Sequence, residues 1–514
     1  MTSIDLRRSA VILMAATVAG YALSFGKEIV VAWLFGAGRE MDAYYAALTL
    51  PGFVASLLGF SATAVIVPAY VTWKVQRPEL APGLVRLTVR DIPLGLAALS
   101  ALMALGAGPL IRTFFPGLPP DVSARAIELE RLMAWSAAAL GSTALLTGFL
   151  NAEGAFVGPS LSSAFVTFAT LGAIALLWRR GSTALAAGLV VGTLSQTLWL
   201  AWRWRGTPAP TGGRNVSWRD PEVRAMLPFL AAIVGSFGMN EINTLVDRLM
   251  ASMLPPGSIA SLGYAIKLYS VPQQILCMPI VAVAYPMLAQ RIAERDEARL
   301  EADFRKACRL GFALMLPVTA FLMRYAGLII VAVFERGRFD PAATLLVART
   351  LSCLSLSIPA LVPIFLISRL AMLDRDARVI LTFGVLAVVM NAGLDWVLMR
   401  VWTPPVAGIA LSTSVTMMTA LLAFTLALSR THRWLRVGSF LADARPYLLP
   451  TAAMLAASEA GFRLMAWSGA LPRLAVAGLF GAAALAATAH ALKLDEMVSG
   501  FAFLKGRFGA PPAA

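Results

Sequence analysis

The fold class predicted by this sequence is an all-α polytopic membrane protein. About fourteen transmembrane helices form two six-helix lobes around a central cavity, with two further helices at the C-terminal end. Three observations predict it. Apolar runs of spanning length fill the chain almost from end to end, the segments between them are short and basic, and a faint repeat relates the first half to the second. Of the 514 residues, 59% are hydrophobic and 14% charged, against roughly 25% charged in a soluble domain. The mean hydropathy is +0.75. No polar stretch exceeds about 25 residues, below the roughly 50 that a soluble domain needs.

A run of about 20 apolar residues is enough to cross the hydrocarbon layer as one helix. The predicted spans are α1 Ser9–Phe35, α2 Ala43–Trp73, α3 Ile92–Phe115, α4 Leu132–Asn151, α5 Pro159–Trp178, α6 Thr183–Trp202 and α7 Arg224–Leu254. They continue with α8 Ile259–Leu288, α9 Phe304–Phe334, α10 Ala343–Leu373, α11 Val379–Met399, α12 Val406–Ser429, α13 Tyr447–Trp467 and α14 Leu474–Leu492. Arg7 and Arg8 before the first run resemble a signal peptide, but the run continues past any cleavage site and reads as a retained helix. The segment Pro116–Arg131 reads as the largest outside loop.

The net charge of +15 would suggest nucleic acid in a soluble protein. Here the cations sit in alternate short loops, the positive-inside pattern, so no nucleic-acid partner is expected. One set holds Lys74, Arg77, Arg86 and Arg90, then Arg203, Arg205, Arg214, Arg219 and Arg224. It continues with Arg291, Arg295, Arg299, Arg305, Lys306 and Arg309. Placing these loops inside, with an even helix number, puts both termini in the cytoplasm. Anionic lipid headgroups are their partners.

The repeat pairs Tyr44–Pro51, closed by Val67–Tyr70, with Tyr264–Pro272, closed by Ala284–Pro286, at an offset of about 220 residues. Repeated six-helix halves imply a cavity between them and rocking alternating access. The expected domains are 1–206, a six-helix lobe; 207–223, a cytoplasmic linker; 224–436, a second six-helix lobe; and 437–514, the extra helices and a basic tail.

A charge in the hydrocarbon costs about 3 kcal/mol or more, so charges there normally handle something charged. Lys27, with Glu28 beside it, lies late in α1, and Lys267 lies early in α8. Two compact ammonium groups facing one outward cavity suit a diphosphate; for Lys267 alone, snorkelling to the interface explains it equally well. Arg39 and Glu40 read as a solvated turn, whereas Asp42 could orient a lysine. Arg369, ahead of Asp374, Arg375, Asp376 and Arg378, could touch a headgroup at the inner gate. Asn240, Asn243 and Asp247 share one face of α7, and Asn391 and Asp395 share one face of α11, opposite Ser412, Thr413 and Ser414. Such oxygen donors suit a cation or a transported proton; the alternative is an internal salt bridge, for instance Asp247 with Arg248.

Cys277, Cys308 and Cys353 show neither metal spacing nor a disulfide framework, and His432 and His490 have no cluster around them. No Ser-His-Asp, zinc or paired-carboxylate arrangement appears, and Gly36-Ala-Gly38 is not a phosphate loop. The expectation is a monomeric transporter with no catalytic residues and no cofactor beyond coupling to sodium or protons. A glycan polymerase or ligase would need a large outside loop with a nucleophile.

Phe35–Tyr45 with Leu50-Pro51 resembles the α1–α2 junction of the MurJ/MviN lipid II flippases. Further resemblances are Gly257–Tyr269 at the start of α8, Phe334–Phe339 after α9, Asn391–Asp395 with Gly408–Thr413 in α11 and α12, and Asn151–Gly154 after α4. These motifs keep their order over residues 9 to 430. The resemblance implies membership of the multidrug/oligosaccharidyl-lipid/polysaccharide exporter superfamily. It implies a bacterial cytoplasmic-membrane flippase for undecaprenyl-diphosphate-linked saccharides in peptidoglycan synthesis, with α13 and α14 forming a groove for the polyprenyl tail. Lys27, Glu28, Asp42, Lys267 and Arg369 would then bind substrate. Asp247, Asn391, Asp395 and Thr413 align with positions that form a sodium site in some members. The family usually has arginine where this chain has Lys27, Lys267, Tyr21 and Ala55 or Ser56. Lysine lacks the bidentate fork, so a flippase for an exopolysaccharide or another lipid-linked oligosaccharide is an alternative, as is, more remotely, a cation-coupled multidrug exporter.

Overall fold

A computed structural model describes residues 20–207, 213–374, 377–494 and 496–497. Among the described residues there is no strand. Every one of the fourteen apolar runs contains helix. The observed ranges are 20–35 for α1, Arg39–Gln76 for α2, Ala81–Leu105 for α3, Trp135–Ala152 for α4, Val157–Leu177 for α5, Ser182–Arg205 for α6 and Leu227–Ser252 for α7. Then follow Ser258–Glu294 for α8, Glu297–Val333 for α9, Pro341–Leu373 for α10, Ala377–Val401 for α11, Pro405–Leu428 for α12, Leu448–Leu464 for α13 and Ala470–Ala491 for α14. Ten of the described helices are long and apolar enough to cross a membrane by themselves, or eleven if one bent pair counts as a span.

That bent pair corrects the outside loop expected at Pro116–Arg131. Pro120–Met133 is a helix, joined to α4 at an angle of 43°. Pro120 opens it without needing an N–H partner. Val122, Ala126, Leu129 and Met133 form its buried stripe at helical spacing. Asp121, Arg125, Glu128, Glu130 and Arg131 lower its average hydropathy and hide it from a search for apolar runs.

The chain divides into two compact units. The first comprises residues 1–260 with 337–339, and the second 261–336 with 340–514. The first unit includes α7, which packs on α2, whereas the sequence repeat counts α7 with the second half.

Junction contacts show how the helices alternate. In the first unit, junctions after odd-numbered helices meet one another. Arg39 pairs with Asp121 at 3.0 Å, Glu40 Oε1 accepts from Ser182 N at 2.6 Å, and Arg338 N donates to Trp33 O at 2.9 Å. Gly36, at φ +68°, lies so close to Arg338 O that a Cβ there would be 2.4 Å from it. Junctions after even-numbered helices also meet. Lys74 pairs with Glu153 at 2.8 Å, Arg77 with Glu222 at 3.3 Å, and Arg214 N donates to Glu79 O at 2.9 Å. In the second unit His432 contacts Glu297 and Asp374, and Arg305 and Arg309 both contact Asp443, each at 2.8 Å. An up-and-down chain brings its junctions together in this way.

The repeat is visible in α2 and α8. Each is a long helix interrupted near its middle by a π-helical segment, Ala55–Phe60 in α2 and Gln273–Cys277 in α8. Both contain prolines on either side of that segment, Pro51 and Pro68 in α2 and Pro272, Pro279 and Pro286 in α8. A proline removes one backbone donor, and a π segment absorbs the resulting misregister. Large apolar side chains stand outward along the helices, Leu105 at 83%, Leu176 at 84% and Leu479 at 69% exposure, as hydrocarbon surroundings require.

Candidate functional site

The first unit contains Lys27, Glu28, Asp42 and Asp247. Lys27 Nζ lies 3.0 Å from Glu28 Oε1, and both side chains are largely enclosed, 15% and 8% exposed. Adjacent helical residues point in different directions, so this pair forms only because the lysine stem is long enough to fold back. Asp247 is buried on α7. Beside it Arg248 Nη1 donates to Thr49 Oγ1 of α2 at 2.7 Å, so Arg248 ties α7 to α2. Asn243 is only part-buried on α7, yet its side-chain oxygen is shielded from solvent without a hydrogen-bond partner. The side chain of Asn240 lies outside what is described, as do Arg375, Asp376 and the side chain of Arg378.

Asp42 differs from expectation. Its carboxylate does not orient a lysine: Oδ2 accepts from Gly257 N at 2.5 Å and Oδ1 from Ala260 N at 2.7 Å. Both oxygens are therefore spent on the orphan donors at the start of α8. Gly257 makes this possible, since it adopts φ +93° and a Cβ would meet Ala37 O at 2.7 Å. Glu40, two residues earlier, does the same for α6 through Ser182 N. Glu40 is therefore not a bare solvated turn, and Asp42 caps the start of α8.

The second unit holds Lys267, Arg369, Asn391, Asp395 and Thr413. Lys267 is partly enclosed on α8. Arg369 lies over the Tyr285 ring at 5.6 Å, and its Nη1 approaches Met372 Sδ at 3.5 Å. Asn391 and Asp395 are fully buried. Asn391 Nδ2 donates to Asp395 Oδ2 at 3.2 Å, and Ser412 Oγ donates to Asp395 Oδ1 and, at 3.4 Å, towards Asn391 Oδ1. Thr413 Oγ1 bonds back to Ile409 O at 3.2 Å. This gathers carboxylate, amide and hydroxyl oxygens of the kind a hard cation takes. Among the described residues, no group of three or more His, Cys, Asp or Glu could hold a metal ion.

Sequence reasoning did not find Glu153, which accepts from Tyr70 at 2.6 Å as well as pairing with Lys74. The Asn151–Gly154 motif was the available signal. The histidine thought to lack a cluster has one: His432 Nδ1 lies 3.2 Å from Glu297 and Nε2 2.9 Å from Asp374. Its partners stand 135 and 58 residues away in the chain.

Two repeated helical bundles, with ionisable groups enclosed among apolar spans, define a multi-pass membrane transporter. The family model for "Lipid II flippase MurJ" matches residues 31–474. The chain belongs to that family. Among curated relatives, a probable lipid II flippase MurJ of Synechocystis is 28% identical over 375 residues, covering 69% of each chain. A lipid II flippase MurJ of Burkholderia cenocepacia is 25% identical, covering 69% of this chain and 71% of its own. Among solved structures, a lipid II flippase MurJ in an inward closed conformation superposes with a TM-score of 0.77 at 18% identity, over 94% of this chain and 99% of its own. An inward-facing multidrug-resistance MATE transporter gives 0.63 at 16% identity, over 81% and 94%. The two structures show the shared fold.

Proposed function

We propose that this protein moves lipid II, an undecaprenyl-diphosphate-linked saccharide, from the inner to the outer leaflet of the bacterial cytoplasmic membrane for peptidoglycan synthesis. The match of the lipid II flippase family model across residues 31–474 carries this reading. A diphosphate headgroup cannot cross about 30 Å of hydrocarbon unaided. The headgroup therefore travels in a cavity that opens to one side at a time, while the tail stays in lipid. Lys27, Lys267 and Arg369 supply the positive charge that meets the diphosphate, with Glu28 holding Lys27. Asn391, Asp395 and Thr413 are donors for a coupling cation, and Asp247 is a further candidate donor in the first unit.

The protein acts as a monomer with both termini in the cytoplasm, since the basic junctions follow the even-numbered helices. The lobes follow the repeat, 1–206 and 224–436, joined by the linker 207–223 and followed by the extra helices and tail of 437–514. The test is reconstitution: vesicles loaded with lipid II, or with a lipid-linked exopolysaccharide unit, and assayed for outer-leaflet headgroup. Transport of lipid II supports the reading. Transport of the exopolysaccharide unit alone overturns the choice of glycan, and transport of neither overturns the function.

A further inference from the structure

Glu130 is 0% exposed, and neither of its carboxyl oxygens has a hydrogen-bond partner. It lies on the Pro120–Met133 helix in the stripe that buries Ala126, Leu129 and Met133. That helix packs against the first half of α2, against α3, α4 and α6, and against the short helix Ala107–Phe114. The titratable and charged groups on those elements are Arg39, Glu40, Asp42, Tyr44 and Tyr45 on α2, and Arg86, Arg90 and Asp91 on α3. Arg112 lies on the short helix, Arg203 and Arg205 lie on α6, and α4 has none. Asp121, Arg125, Glu128 and Arg131 share its own helix. Arg39 is paired with Asp121, Arg125 with Glu128, Glu40 with Ser182 N and Asp42 with the start of α8. None of these groups bonds to Glu130.

An ionised carboxylate without a donor or counter-ion is not tolerated at such burial, and a carboxyl placed there stays neutral by keeping its proton. A leucine or alanine would fill the stripe without this requirement. The acid also stands four residues before the bend into α4, where a change of angle would uncover it.

We propose that Glu130 is a proton-binding site of the transport cycle. With the Pro120–Met133 helix seated as described, the carboxyl is held as the neutral acid. When that helix swings on its junction with α4, the acid meets water and gives up its proton. Reseating takes one proton back from solution, and no other bond is made or broken. This rests on the reading of the chain as a transporter and assigns a residue to its coupling.

The experiment has two arms. Infrared spectra of the purified full-length protein in nanodiscs at neutral pH should show a protonated-carboxyl C=O band that Glu130→Gln removes and that Glu130→Asp shifts. If neither substitution changes the acid region, the proposal falls. Glu130→Asp keeps this arm decisive should the glutamine variant fail to fold. In the second arm, proteoliposomes with an imposed pH gradient are compared with vesicles at equal pH. Wild-type lipid II flipping should respond to the gradient, and in Glu130→Gln flipping with the gradient should equal flipping without it. An undiminished response in the variant overturns the proposal. Failure of the wild type to flip lipid II counts against the proposed function, and the infrared arm still decides the proton site.

Discussion

Asp42 and Gly257 stand 215 residues apart in sequence and are joined by a hydrogen bond of 2.5 Å, from the Gly257 N–H to the Asp42 carboxylate. With the second bond from Ala260 N, the first turn of α2 becomes the N-terminal cap of α8. Glu40 caps α6 from the same turn. One tight turn thus fixes the starts of two distant helices, and its substitution should first be felt as instability.

For Asp42→Ala we expect a loss of roughly 3 kcal/mol or more, since a hydrogen bond to a charged group contributes about 1.5–3 kcal/mol and two are removed. Asp42→Asn keeps an acceptor oxygen and should recover part of that. Thermal unfolding in detergent reads both. A melting temperature equal to wild type for the alanine variant would show that the cap contributes nothing.

The sequence already displayed the helices, because about 20 apolar residues in a row have few alternatives to a membrane span. It also displayed the Asn391–Asp395 pair, whose four-residue spacing places both on one face, and Ser412 does meet them. It could not display what Asp42 touches, since a cap is specified by the acceptor and by backbone N–H groups that every residue possesses. Pro120–Met133 was legible in principle. A proline followed by an aspartate and a stripe of Val122, Ala126, Leu129 and Met133 is a helix start, but a search for apolar runs passes over a stripe that shares its helix with five charged residues.

His432 gives a pH dependence outside the membrane spans. Burial pushes its imidazole down, but the hydrogen bonds and charges of Asp374 and Glu297 outweigh this and raise its pKa above the ordinary 6.5. A raised folded value means stability fully present below the unfolded pKa of about 6.5 and lost as pH climbs through the folded one. The wild-type melting temperature should therefore fall, as pH rises above about 6.5, by more than that of His432→Gln. Parallel curves for the two proteins would sink this assignment.

The buried oxygens of Asn391, Asp395 and Ser412 predict a sodium effect. A cation that binds only the folded protein raises the melting temperature by mass action. Sodium, compared with choline at equal ionic strength, should stabilise the wild type and not Asp395→Asn, and Asp247→Asn should weaken the effect. If sodium, potassium and proton titrations leave wild type and variants alike, these carboxylates are structural.

Lys27 and Lys267 are the cations expected to meet the diphosphate. Lys27→Ala and Lys267→Ala should each abolish flipping while leaving the protein folded and inserted in the membrane. Each removes a charge-assisted contact of about 1.5–3 kcal/mol, about tenfold or more in binding. Lys→Arg should be tolerated at one or both positions, since the charge remains and the guanidinium adds a bidentate grip. Because Lys27 lies 3.0 Å from the buried Glu28, its removal also takes one partner from that carboxylate. The double variant Lys27→Ala/Glu28→Gln removes both charges of that pair. Flipping still lost in this double variant assigns the defect to the missing cation, whereas flipping restored assigns it to the altered surroundings of Glu28. Full growth complementation by Lys27→Ala/Lys267→Ala would show that neither lysine meets the headgroup.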